Sequence, residues 1–186
     1  MSAALWALGR GSGVVALVLF TLSIVLGIIA RSGRHVPGIG RFGVSDLHRT
    51  AALTGTSLIA VHLGTLLFDP YAQLKVVDFV FPFLAAYRPL WLGLGTLAVD
   101  LIVLVTAVSL LRHRVGPRVF RTVHWATYAL WPMALLHSLG SGTDAATLWF
   151  RALAVVCVSA VVTAVGWRLT PSFEGRGWHR HPRRVA

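Results

Sequence analysis

The sequence predicts an all-α integral membrane protein, a single domain over residues 1–186 folded as a bundle of five transmembrane helices with a short interfacial segment between the second and third. Three observations carry this reading. Hydrophobic residues make up 56% of the chain and charged residues 12%, a composition that a water-facing domain does not have. The apolar residues gather in runs of about 20, the length needed to cross roughly 30 Å of hydrocarbon. The arginines behind the +11 net charge sit in short segments beside those runs, so they read as topology signals and not as a nucleic-acid face. Membrane lipid is the expected surrounding, and no nucleic-acid partner is expected.

The first crossing is GSGVVALVLFTLSIVLGIIA, residues 11–30. It is longer than a signal-peptide core and runs straight into Arg31 and Arg34 in place of a small-residue cleavage site. The Gly-rich loop that follows contains GIGRFG at residues 38–43, which matches G-x-G-x-x-G. With no preceding strand and no room for a βαβ unit, it is not a dinucleotide site. Ser45 or Asp46 is placed to cap the second crossing, residues 46–68. Residues 69–89 are broken by Pro70, Pro82 and Pro89 and carry Asp69, Lys75 and Asp78. They read as a short amphipathic piece lying in the interface. The third crossing spans residues 90–111, and the basic loop RHRVGPR joins it to the fourth, residues 118–139. A Gly/Ser turn leads to the fifth, residues 147–167, and a basic tail covers residues 168–186.

Positive residues set the orientation. Segments 31–49, 112–121 and 168–186 hold thirteen arginines, against Arg10, Lys75, Arg88 and Arg151 on the other side. This asymmetry predicts a multi-pass protein of the cell membrane with its N-terminus outside and its C-terminus in the cytoplasm, in keeping with an odd number of crossings.

Four histidines inside the apolar helices carry the functional reading. His48 and His62 lie 14 residues apart on the second crossing, and His124 and His137 lie 13 apart on the fourth. At about 1.5 Å of rise per residue, each step is roughly 20 Å along the axis, room for two stacked haems. Ionisable groups in membrane helices are costly and mark function; the alternative is that each is a hydrogen-bonded packing residue. Depth pairs His48 with His124 near the cytoplasmic face and His62 with His137 near the outer face, each pair holding one iron. On ideal helices His62 returns to within about 40° of the face of His48, whereas His137 lies about 140° from His124. Pro132, between the last two, is the expected site of a compensating kink. The only cysteine, Cys157, excludes a disulfide, a four-cysteine cluster and covalent haem attachment. Both haems are therefore expected to be b-type. Two axial imidazoles leave iron no open position, which suits electron transfer over bond chemistry.

Further candidates surround the histidines. Arg49 and Arg121, close to the inner ligands, and Arg88 outside are placed to pair with haem propionates, although positive-inside bias accounts for the first two as well. Trp125, Tyr128 and Trp131 either pack on porphyrin or serve as bundle core and interfacial anchors. Asp100, mid-way along the third crossing, is either a proton-handling residue or a neutral acid bonded to a neighbouring hydroxyl. His35, His113, His179 and His181 fall in basic loops or the tail, where solvation is the default.

The histidine steps, with AYRPLWLGLGTLAVD and HWATYALWP, resemble the ferric reductase-like transmembrane domain over roughly residues 11–168. That domain is shared by NADPH oxidases, ferric-chelate reductases and the haem-bearing subunit of bacterial periplasmic methionine-sulfoxide reductase systems. The resemblance implies two b haems ligated by His48, His62, His124 and His137, passing electrons outward from a cytoplasmic reductant. The chain has five clear crossings where many relatives have six, and it carries no flavin and nicotinamide dehydrogenase domain. It is thus expected to be an oxidoreductase membrane component. Its donor is a cytoplasmic flavoprotein reductase, which supplies any flavin, or a quinol; its acceptor is at the outer face. The alternatives are a quinol-linked b-type cytochrome subunit anchoring an extracytoplasmic reductase, and a non-redox structural membrane subunit.

Overall fold

The computed structural model describes residues 3–34, 36–69 and 74–173. His35, His179, His181 and most of the basic tail lie outside them. The described chain is helical throughout its regular parts: α1 Ala3–Ser32, α2 Arg41–Leu67, a 3-10 turn Val76–Phe79, α3 Pro89–Leu110, α4 Arg112–Trp125, α5 Thr127–Ser141 and α6 Leu148–Arg168. Four of these, α1, α2, α3 and α6, are long and apolar enough to cross a membrane. This is the expected multi-pass bundle, with differences at the joints.

The fourth crossing is the largest difference. It is divided at Ala126, where a tight bond from the Ala126 N–H to the Val123 carbonyl (2.9 Å) separates α4 from α5. At 15 residues, α5 reaches only about 22 Å, so the last turns of α4 are needed to complete the passage. The expected kink at Pro132 is not where the helix is interrupted: α5 runs through Pro132, and the break between α4 and α5 falls at Ala126. The segment RHRVGPR is not a free loop either. It is helical within α4 apart from Gly116 at φ 79°, ψ 161°, a backbone state that glycine adopts without the steric penalty of a Cβ, and Pro117 restarts the helix.

Two smaller corrections follow from backbone geometry. Ser45 and Asp46 do not cap α2, which starts earlier, after an extended Gly40 (φ −63°, ψ 155°), so both lie within the helix. The expected amphipathic interfacial piece is a single 3-10 turn among the described residues. It is closed by the Lys75 N–H donating to the Asp78 carboxylate (2.8 Å) and held to α3 by Thr96 Oγ1 donating to the Asp78 carbonyl (2.8 Å).

Helix α1 is the hub. It lies antiparallel along α2 and also touches α5 and α6, while α3 packs on α5 and barely meets α2. Leu17, Trp131, Leu135, Ala154, Cys157 and Val161 form the main buried cluster where α1, α5 and α6 meet. Trp131 Nε1 donates to Thr21 Oγ1 (2.9 Å) inside it, satisfying an indole that would otherwise cost about 1–3 kcal/mol if buried unpaired. At the end of the bundle away from the arginine-rich segments, Arg10 pairs with Asp144, joining α1 to the turn before α6.

Candidate haem site

The gap between α2 and α3 is the site. A cavity of about 930 Å³ opens there toward the arginine-rich ends of the helices, a size typical of cofactor clefts. His48 enters from α2 and His124 from α4, both half-buried, with ring centres 6.0 Å apart and planes at 72°. Two imidazoles that share one metal through bonds of roughly 2 Å on opposite sides hold their ring centres about 6 Å apart, so the spacing is compatible with one iron between them. Phe20, Ile102 and Leu130 supply apolar wall, and Phe120 lies against the His124 ring at 5.2 Å and 25°.

The other two histidines are His62 from α2 and His137 from α5, both half-buried. The two pairs sit at opposite ends of the bundle because α2 and the α4–α5 passage each carry one histidine toward either end.

Hydrogen bonding prepares three of the four rings. His62 Nδ1 lies 2.7 Å from the Gly9 carbonyl, His137 Nδ1 lies 2.8 Å from the Trp91 carbonyl, and His48 Nδ1 lies 2.8 Å from the Ser23 carbonyl and 3.0 Å from its Oγ. A ring nitrogen facing a carbonyl oxygen must carry the proton, which leaves the lone pair on Nε2 for a metal. His124 differs, its Nδ1 being buried with no partner among the described residues.

The other candidates divide. Arg49 lines the cavity with His48 and His124, but Arg121 does not: it donates to the Pro117 carbonyl and lines a separate shallow pocket with Arg118, Thr122 and Trp125. Arg112 and His113 line the cavity instead. Sequence reading missed both, because they were assigned to a loop. Arg88 donates to the Gly140 carbonyl, three residues beyond His137, and lies over the Tyr87 ring. None of the three aromatics flanking the ligands lines the cavity. Trp131 is core, and Trp125 and Tyr128 stack together beneath Arg168. Asp100 is exposed, bonded by no described residue, on the side of α3 away from the cavity-lining Ile102 and Thr106; the neutral acid bonded to a hydroxyl is not found. Groups of three or more histidine, cysteine and acidic side chains that could hold a bare metal ion are absent among the described residues.

Comparison with known proteins gives one match. The family model for the ferric reductase like transmembrane component matches residues 12–136, a stretch that includes His48, His62 and His124 and ends one residue before His137. No curated protein and no solved structure matches significantly.

Proposed function

For a chain that belongs to the ferric reductase-like transmembrane family, whose members are in general redox components of membranes, we propose transmembrane electron transfer through two b-type haems. Electrons enter from a cytoplasmic flavoprotein or quinol and leave to an acceptor at the outer face of the cell membrane. The observation that carries this reading is the approach of His48 and His124, from different helices, to a spacing that one iron accommodates. When bound, a haem with two imidazole ligands supplies one-electron exchange with no coordination position open to substrate.

The protein's own groups do the rest. His48 and His124 would hold the iron of the inner group, and His62 and His137 that of the outer one. The carbonyls of Ser23, Gly9 and Trp91 hold three of those rings by Nδ1 and make them better donors. Arg49 and Arg112 at the cavity wall are placed to pair with carboxylates of the inner group. Phe20, Ile102 and Leu130 would give the inner group an apolar wall to pack on. Thirteen arginines against four positive residues support the cytoplasmic placement of the His48–His124 end.

Purified protein should show a Soret band, a reducible α-band and two haems per chain. A preparation reconstituted with haem that shows neither band would end this reading.

A further inference from the structure

Three imidazoles sit in one repeated seat, and the repeat lies in the backbone of the neighbouring helix. His62 bonds the Gly9 carbonyl, and a Cβ on Gly13 would stand 3.1 Å from its Nδ1. His48 bonds the Ser23 carbonyl, and a Cβ on Gly27 would stand 3.2 Å from its Nδ1. His137 bonds the Trp91 carbonyl, and a Cβ on Gly95 would stand 2.5 Å from its Nδ1. Each time the acceptor is residue i and the glycine is residue i+4. A helix carbonyl already accepts the N–H of residue i+4 and keeps one lone pair free at its flank. A side chain at i+4 leans back toward the N-terminus, over that flank. A Cβ would therefore crowd the ring: the imidazoles facing Gly13 and Gly27 would have to give by a few tenths of an ångström, and that facing Gly95 would have to shift.

We infer that Gly13, Gly27 and Gly95 are positioning residues, each opening one helix carbonyl so that the facing histidine is fixed with its proton on Nδ1 and its Nε2 free for iron. Gly13 and Gly27 are 14 residues apart on α1, the same step as His62 and His48 on α2, so one antiparallel helix pair carries two copies of the seat. His124 has none: its Nδ1 lacks a partner among the described residues, and the Phe120 ring lies against it instead. As far as it concerns iron the inference rests on the haem reading, whereas the seat itself is a property of the polypeptide.

The test uses the full-length protein in detergent micelles. Nitrogen-15 histidine spectra of haem-free protein should show His48, His62 and His137 with the proton on Nδ1 and His124 with no fixed preference. Gly27→Ala should move His48 alone off that state, and Gly13→Ala should move His62 alone. Gly11→Ala, where a Cβ meets nothing within 4 Å, and Gly55→Ala, whose Cβ would crowd the Phe20 ring at 3.1 Å, should move neither. In haem-loaded protein, Gly27→Ala should weaken retention of one haem by about tenfold or more, the usual effect of removing a hydrogen-bond partner from a ligating histidine, and Gly11→Ala, whose Cβ meets nothing within 4 Å, should not. Tautomers and haem retention in Gly27→Ala equal to those of Gly11→Ala would overturn the seat. Wild-type protein that takes up no haem but shows the three fixed tautomers would overturn the haem reading and leave the seat standing.

Discussion

Three of the four histidines have one nitrogen bonded to the protein and one left over, and substitutions should separate the pairs by depth. His62→Ala and His137→Ala should each remove or convert the same haem, leaving the other spectrally intact. His48→Ala and His124→Ala should do the reverse. The two sites lie roughly 20 Å apart along the helices, beyond the range at which substitutions usually couple. Redox-monitored spectra of the four variants check this, and identical spectra and potentials for His62→Ala and His124→Ala would show the pairing to be wrong. The arginines separate in the same way. Removing a positive charge beside a haem favours its oxidised form, so Arg112→Gln should lower the potential of the inner haem. Arg121→Gln should leave that potential in place, because Arg121 lies outside the cavity. Equal shifts in a potentiometric titration would return the role to Arg121.

Helix α4 shows best how far an element can be read before its structure is known. Apolar runs of bilayer length have one physical explanation, so α1, α2, α3 and α6 were legible, as were the histidine steps that mark the site. Arginine-rich segments at a membrane surface are as well solvated in a helix as in a loop, so RHRVGPR offered no signal of its helical state, and Arg112 and His113 were missed with it. Pro132 drew attention as the breaker, yet a proline in a membrane helix can be accommodated by its neighbours, and the interruption fell at Ala126. The glycine seats were hidden differently: the Gly13–Gly27 step was in plain view, but its meaning depends on which helix lies opposite. At Gly116 the positive φ makes a direct prediction. Gly116→Ala should cost roughly 1–3 kcal/mol, the penalty of holding a Cβ at a positive φ with extended ψ, a region essentially confined to glycine. It should therefore lower the thermal midpoint, whereas Gly166→Ala, in open space within α6, should not lower it.

For the whole molecule, orientation is the property from which the direction of electron flow follows. Cysteine placed at Pro37, in the exposed turn after α1, should react with impermeant thiol reagents only from the cytoplasm, and cysteine at Thr143, in the exposed turn before α6, only from outside. Cys157 is buried and stays silent in that assay. A reversed labelling pattern would invert the direction proposed. The slender contact between α2 and α3 has a consequence of another kind, for assembly. Two helices that enclose a cavity instead of packing on each other leave the bundle to be completed by what fills the space, so mass action couples folding to cofactor supply. Free haem at a hundred times its dissociation constant would add about 2.7 kcal/mol to the folded state. In a calorimetric titration the melting temperature should climb with added haem, and a cell short of haem would accumulate a loosely closed chain open to membrane proteases.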